Sequence, residues 1–417
     1  MMNKEQLFQL IDERKQELFD ILSDLIHYDS QNFIEYGNEE AIAKHIKDWV
    51  NDLGYEADMY SPLSIEGFEQ HPDYNPNRGL ENRYNVTAVI PGTSHEKRLM
   101  VTGHTDTVPI GRVEDWTVDP LGGLQKDGKI YGRGAGDDKS GIAVPMFLMK
   151  LLKDEGVELP YDLVFSAFCD EEIGGGNGAL ASCLKYPCDD ILMLDGSQYN
   201  IWAGATGGGI VMMRVVCNHT CSCCEEMLDA LPIIREEIDG YRKHRIEDFM
   251  ALDYYKDTTV PETSVRYTDV RTGFSDEAMD RLEIRLTFYT TRSYEESKAE
   301  WDEIRERLDK KLAPMDMRVD FFDMVTRYFH FTESKKGKVL ELLEKNIKEV
   351  AGLERKAGGS CLSDLPLFTI YGSPNALGFN IGSPYELPGG AHQKDEYVLC
   401  EELVHLAKII GAIILEY

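Results

Sequence analysis

Hydrophobic residues recur with two different periods along the first half of the chain, and together these periods predict alternating helices and strands. Helical spacing runs through residues 7–26 and 42–53, and Gly54 follows the second run as a helix stop. Helical patterns also occur near residues 139–153 and 177–185. Short apolar runs predict buried strands at Val86–Ile90, Leu99–Thr102, Leu163–Phe168 and Ile191–Leu194. The alternation predicts an α/β sheet with helices on its faces.

A different series of elements begins at Gly207–Gly209. We predict strand, helix, strand, strand, helix and strand over residues 210–217, 222–248, 261–270, 281–290, 294–312 and 317–325. This βαββαβ order is the ferredoxin-like motif. Helical spacing then resumes at Val339 and near residues 398–415, so the simplest architecture is an α/β domain interrupted by a smaller one. The predicted domain limits are residues 1–206 and 327–417 for the two parts of the first domain, and 207–326 for the insertion.

Charge and composition exclude several classes of function. The chain has 44 lysines and arginines and 74 acidic residues, which give a net charge of -30. This charge argues against binding to nucleic acid or to an anionic membrane. No run of about 18 apolar residues predicts a membrane span, and the N-terminal residues lack the layout of a signal peptide. Nine cysteines, an odd number, argue against a disulfide framework. We therefore expect a protein of the reducing cytoplasm.

Acidic residues and histidines concentrate in four short segments, three of which directly follow predicted strands. The segments are Gly103–Pro109, Gly132–Gly141, Cys169–Gly176 and Asp195–Ser197. Ligands of open α/β sheets gather at the carboxyl ends of strands, so these segments are expected to converge. Packed carboxylates repel one another unless a cation lies between them. Histidine with aspartate and glutamate suits zinc, with cobalt or manganese as substitutes, and several carboxylates favour two metals, a hydroxide nucleophile and a general base.

The four segments and a fifth one, Gly390–His392, resemble the motifs of the M20 family of metallopeptidases and deacylases. The family pattern is GHxDxVP, GRGxxDxKxG, a Glu-Glu pair followed by glycines, a later acidic residue and a C-terminal Ala-His, and all five occur here in order. The resemblance covers nearly the whole chain. It implies a zinc-peptidase-like α/β catalytic domain with an inserted ferredoxin-like lid domain. Taken singly, each motif has a simpler explanation, such as a loop histidine, a helix N-cap or a solvated acidic turn; the five in order argue against these explanations together.

The resemblance implies a role for each matching residue. His104 and Asp195 are expected to bind one metal, Glu172 and His392 the other, and Asp137 both. Glu171 would take a proton from the water and pass it to the leaving amine. Asp106 would accept a hydrogen bond from the far nitrogen of His104 and so fix its tautomer. The family also implies a cis peptide between Asp137 and Asp138.

Three features of the insertion leave alternatives open. His219 matches a family histidine that reaches the partner's active site and stabilises the oxyanion, although Asn218 replaces the usual alanine; it could also simply end a strand. Arg285 occupies the family's Asp-x-Arg position, with Glu283 in place of the aspartate, so it clamps a substrate carboxylate or has a structural role. The cysteines around His219 match no zinc module and favour an apolar role over a metal or redox one; they are Cys217, Cys221, Cys223 and Cys224.

These observations predict a cytoplasmic amide hydrolase with two Zn²⁺ ions, attack by metal hydroxide and a glutamate general base. The expected substrate is a small N-acyl amino acid or a short peptide with a free carboxylate. The resemblance further implies a homodimer formed through the lid. Two alternatives remain: a dipeptidase or carboxypeptidase in place of a deacylase, and a non-catalytic binding module on the same fold.

Overall fold

The computed structural model describes residues 2–219, 225–274 and 279–417, and it divides into two compact units. The first unit comprises Met1–Ala203, Ser334–Ala357 and Leu367–Tyr417; the second comprises Gly204–Glu333 and Gly358–Pro366. The domain limits predicted from sequence stay a prediction. Among the described residues, no helix is both long enough and apolar enough to cross a membrane.

The elements are numbered in chain order through both units. The strands are Ala57–Tyr60 (β1), Asn85–Ile90 (β2), Arg98–His104 (β3), Leu124–Lys126 (β4), Lys129–Tyr131 (β5), Asp162–Phe168 (β6), Asp190–Met193 (β7), Ile201–Ala205 (β8), Gly207–Cys217 (β9), Val265–Phe274 (β10), Met279–Thr290 (β11), Met317–Met324 (β12), Thr332–Glu333 (β13), Ala357–Ser360 (β14), Leu377–Phe379 (β15) and Tyr397–Leu399 (β16). The helices are Lys4–Ile26 (α1), Glu40–Asp52 (α2), Lys139–Asp154 (α3), Asn177–Lys185 (α4), Glu225–Met250 (α5), Val260–Thr263 (α6), Tyr294–Leu312 (α7), Lys338–Ala351 (α8), Leu365–Leu367 (α9) and Cys400–Glu416 (α10).

The first unit is built on a mixed sheet in the order β1-β2-β6-β3-β7-β15, and β15 then pairs with the first residues of β8. The neighbours β6, β3, β7 and β15 run parallel to one another. Every residue of β6 is buried, as expected for a parallel strand covered on both faces. Because parallel strands end at the same edge, the loops after β3, β6 and β7 open side by side. His104 ends β3 directly opposite Phe168, the last residue of β6.

The second unit confirms the predicted βαββαβ order. Its four-stranded antiparallel sheet has the order β10-β11-β9-β12. Alternate residues of β9 are buried, and α5 and α7 supply the other side of the core, with Trp301 completely buried. The predicted strand 261–270 is wrong at its start, because Val260–Thr263 forms a helical turn with Pro261 in its first positions. Proline has no backbone N–H to donate to a strand partner and fits the first turn of a helix.

Candidate metal centre

Three backbone segments of the first unit bring the acidic residues and histidines together. His104 is the last residue of β3, and Glu172 follows β6 after a short turn. Asp137 precedes α3, and the Asp137–Asp138 peptide is cis, as the family resemblance implies. Glycine is required at Gly175, because a Cβ there would lie 1.7 Å from the main-chain oxygen of Asp170. This close approach turns the chain sharply after β6 and returns Glu172 toward β3.

Asp137 lies between two histidines and presents one carboxylate oxygen to each. His104 Nε2 is 2.9 Å from Oδ1 of Asp137, and His392 Nε2 is 3.1 Å from its Oδ2. Glu172 Oε2 lies 3.1 Å from the same His392 nitrogen. Single ligand atoms of His104, Asp137 and Glu172 all lie within 4.8 Å of one another. The group therefore has one shared carboxylate in the middle and an imidazole on either side.

The carboxylates of this group favour the binding of protons or of a metal cation. Burial works against protonation of His392, yet the carboxylates of Asp137 and Glu172 raise its pKa to about 11. Burial likewise works against protonation of His104, but the nearby carboxylates of Asp106 and Asp137 raise its pKa well above the ordinary value. Burial and the charge of Asp137 raise the pKa of Glu172. Without a cation, protons are taken up to balance the carboxylates; a divalent metal would displace them.

Asp106 holds the backbone of the Glu171–Glu172 pair. Its carboxylate accepts hydrogen bonds from the main-chain nitrogens of Glu171, at 3.0 Å, and Glu172, at 2.9 Å. Asn32 donates to the same carboxylate at 2.6 Å. The Nδ1 of His104 is 2.9 Å from the main-chain oxygen of Asp106 and 3.6 Å from its carboxylate. The geometry thus gives tautomer control to the Asp106 main chain, and gives its carboxylate the task of orienting Glu171 and Glu172.

A buried ion pair joins the Asp137 segment to the His392 loop. Arg133 Nη1 donates to Glu396 Oε2 at 2.6 Å, and its other nitrogen donates to the main-chain oxygen of His392 at 3.3 Å. Glu396 Oε1 accepts hydrogen bonds from the backbone nitrogens of Gly136 and Asp137. One pair of side chains therefore fixes the main chain at both sides of the shared carboxylate.

Glu171 and Asp195 lie at the edge of the cluster. Both are half-buried, and the negative charge of Glu171 contributes to the raised pKa of His104. Asp195 lies two residues beyond β7, and its charge helps burial to raise the pKa of Asp138. Asp138 itself accepts hydrogen bonds from the backbone nitrogen of His104 and from Asn380. All seven of the predicted site residues in the first unit therefore lie in, or next to, one group.

The two predicted site residues of the insertion belong to the second unit. His219 is exposed just beyond β9, with Nε2 2.8 Å from Glu226 Oε2 and Nδ1 3.1 Å from Asp316 Oδ2. Arg285 lies in the middle of β11, and its side chain is exposed. Of the cysteines around His219, Cys217 is buried, whereas Cys221, Cys223 and Cys224 lie outside the described residues.

The donor set fits two cations. Two imidazole nitrogens face the two oxygens of one carboxylate, and the carboxylate of Glu172 lies beside one of these nitrogens. These are the nitrogen and oxygen donors that zinc accepts in catalytic sites, and no cysteine is among them. A shared carboxylate in such a set is the arrangement of a two-metal centre.

Comparison with known proteins defines the class to which this fold and site belong. The family model for peptidase family M20/M25/M40 matches residues 100–416. This match spans most of the chain, so the chain belongs to that family. The resemblance inferred from the five motifs is confirmed.

Individual relatives match in shorter segments. The N-formyl-4-amino-5-aminomethyl-2-methylpyrimidine deformylase of Bacillus subtilis (strain 168) is 30% identical over 194 residues, 46% of this chain and 41% of the deformylase. A succinyl-diaminopimelate desuccinylase of Parvibaculum lavamentivorans is 41% identical over 133 residues, 32% of this chain and 29% of the desuccinylase. The chain thus spans less than half the length of these curated relatives.

Solved structures extend the likeness to the whole fold. The YXEP protein of Bacillus subtilis, described as a dinuclear metal binding peptidase from the M20 family, superposes with a TM-score of 0.60. The two chains are 15% identical, and the match covers 97% of this chain and 98% of that one. At this identity the likeness establishes the fold alone, and the predicted mixed α/β class is confirmed.

Several residues that support the centre carry no sequence signal. Arg78 donates to Asp170 at 2.9 Å, and Arg83 bonds both Asp170 and Glu39, all within the buried interior. Asn32 bridges this network to Asp106. These residues lie in irregular segments, where neither periodicity nor spacing marks them. Arg133 lies inside one of the motifs and Glu396 lies shortly after another. In the sequence, this proximity alone indicates that the two residues support the centre.

Proposed function

We propose that this chain is a metal-dependent hydrolase of amide bonds. The observation that carries the proposal is Asp137, whose two oxygens face the Nε2 atoms of His104 and His392 at 2.9 and 3.1 Å. A carboxylate shared in this way needs two positive charges beside it. Membership of the peptidase family supports hydrolysis as the function of the two cations.

The first metal is proposed to be held by His104 and Asp195, the second by Glu172 and His392, with Asp137 shared between them. Two Zn²⁺ ions suit these donors, and Co²⁺ or Mn²⁺ could replace them. When bound, such cations polarise the amide carbonyl and lower the pKa of water. The dinuclear description of the YXEP protein supports the count.

Glu171 is proposed to move the proton. It takes a proton from the attacking water, whose oxygen forms a bond to the carbonyl carbon. Glu171 then delivers that proton to the nitrogen as the C–N bond breaks, giving a carboxylic acid and an amine. Its backbone nitrogen is bound to Asp106, so its position beside the ligand Glu172 is set by the same carboxylate.

The proposed substrate is a small N-acyl amino acid or a short peptide with a free carboxylate. The deformylase and desuccinylase names of two relatives support acyl removal. Arg285 is proposed to bind the substrate carboxylate, because a guanidinium binds carboxylates in bidentate fashion. His219 is proposed to donate to the oxyanion of a partner's active site. This role needs a homodimer, and the odd number of cysteines favours the cytoplasm as its compartment.

A peptidase is the second candidate, because the YXEP protein is described as a peptidase. The decisive experiment assays the zinc-loaded chain against matched panels of N-acyl amino acids and dipeptides, with and without chelator. We expect chelator-sensitive cleavage confined to one panel, which also decides between deacylase and peptidase. Metal-loaded protein that cleaves neither panel would overturn the proposal and favour a binding module.

A further inference from the structure

A second group of metal-ligand side chains lies in the second unit, at the end of its sheet. Cys217 is the last residue of β9, Glu226 lies in the first turn of α5, and His219 falls between them in sequence. We call these three residues the lid cluster. One ligand atom from each, the cysteine sulfur included, lies within 4.8 Å of the other two. The cluster therefore combines thiol, imidazole and carboxylate in one small volume.

His219 is oriented as histidine ligands are oriented in metal sites. Its Nε2 faces into the cluster, 2.8 Å from Glu226 Oε2. Its Nδ1 is 3.1 Å from Asp316 Oδ2, outside the cluster. Asp316 is held in turn, because Asn218 donates to its main-chain oxygen at 2.9 Å and to its carboxylate at 3.2 Å. A carboxylate on the far nitrogen fixes the ring and its tautomer and raises the basicity of the other nitrogen.

We propose that the lid cluster binds a divalent cation of the zinc type through Cys217, His219 and Glu226, with Asp316 as a positioning residue. Thiolate, imidazole and carboxylate are zinc ligands, and three protein ligands leave a fourth position open. The proposal does not depend on the metal centre of the first unit, but it competes with the oxyanion role proposed for His219.

Cys217 distinguishes this site from the metal centre of the first unit. That centre offers only nitrogen and oxygen donors, whereas the lid cluster contains a sulfur. A bound cation would occupy the Nε2 of His219, so a loaded lid cluster cannot use that nitrogen as an oxyanion donor. The alternative is that Cys217 acts only as a small apolar residue of the core cluster to which Val215 also belongs.

Cobalt tests the proposal, because Co²⁺ bound to a thiolate has a near-ultraviolet charge-transfer band that nitrogen and oxygen ligands do not give. The full chain, stripped of metal, is titrated with Co²⁺. We expect this band in the native sequence, its loss in Cys217→Ser, and no change in the control Cys361→Ser, a half-buried cysteine of the same unit.

A half-buried position, Glu226, and an exposed one, Asp316, lie outside the core, so their substitution is expected to leave the fold intact. Glu226→Gln is expected to weaken the cobalt affinity that is read from the band, and Asp316→Asn to weaken it about 10- to 100-fold. Absence of the band from the native chain would overturn the proposal. Retention of the full band in Cys217→Ser, or unchanged affinity in Glu226→Gln, would overturn it as well.

Discussion

At the scale of single residues, two neighbouring side chains in one turn have different surroundings. Glu171 and Glu172 follow each other in sequence, and the carboxylate of Asp106 binds the backbone nitrogens of both. Glu172 points to His392, while Glu171 remains half-buried at the edge of the group. The proposed ligand, Glu172, and the proposed proton carrier, Glu171, can therefore be distinguished by substitution.

Glu171→Ala is expected to keep its metal and lose turnover. Loss of a general acid and base costs about 10²- to 10⁴-fold in rate, whereas the proposed ligands are untouched. The measurement is kcat beside metal content on one preparation, with the exposed Glu66→Ala as control. An unchanged kcat would remove Glu171 from the mechanism.

Ionisation of Glu39 is expected to make the free energy of unfolding depend on pH, and Glu39 is not one of the proposed metal ligands. Burial, together with the charge of Asp106, raises its pKa to about 8 from the ordinary 4.5, against the opposing effect of Arg83. When folding raises the pKa of a group, the group's contribution to stability is complete at pH values below its pKa in the unfolded chain. That contribution is lost as the pH rises through its pKa in the folded chain. We expect the urea midpoint of the native chain to fall between about pH 5 and pH 9.

In Glu39→Gln this fall should be smaller, because glutamine cannot ionise. Glu35→Gln, at an exposed position four residues earlier, should behave as the native chain does. Identical pH profiles for the native chain and Glu39→Gln would show that Glu39 does not titrate in this range.

At the scale of elements, alternation of apolar runs predicted the strands and helices around the site, because buried parallel strands are apolar throughout. Convergence of the motifs followed from the edge at which parallel strands end. The predicted start of β10 was wrong, because Pro261 favours a helical turn that the apolar pattern does not reveal. Asn32, Arg78 and Arg83 could not be predicted, since their contacts depend on how irregular segments fold over the sheet.

The Arg133–Glu396 pair connects the start of α3 to the His392 loop, and this connection predicts a metal-affinity effect. Arg133→Lys removes the forked contact to Glu396 and to the main-chain oxygen of His392. We expect zinc affinity about 10- to 100-fold weaker, with the fold retained. Competition with a chelator measures the affinity.

Arg112→Lys is the matched control, because Arg112 pairs with Asp115 at the exposed surface. Equal zinc affinities for Arg133→Lys, Arg112→Lys and the native chain would contradict the positioning role of the pair.

At the scale of the whole molecule, the proposed ligands come from segments far apart in sequence, from His104 to His392. A bound metal therefore ties several loops of the first unit together, and binding to the folded state alone stabilises it by mass action. Chelation should lower the thermal midpoint of unfolding by several degrees. A free metal concentration one hundred times the dissociation constant stabilises the folded state by about 2.7 kcal/mol, and each kcal/mol shifts the midpoint by about 2–4 °C. Added zinc should restore the midpoint in calorimetry, and a midpoint indifferent to chelator and zinc would contradict this linkage.

If two metals share Asp137, the zinc content of the native chain and of Asp137→Ala, measured by elemental analysis, must differ. Both proteins are purified without chelator and supplied with zinc. Because each cation loses a ligand in the variant, we expect the native chain to hold about two more zinc ions per chain than Asp137→Ala. Any zinc in the lid cluster cancels in this difference. Equal zinc content in the two proteins would show that Asp137 does not hold two metals.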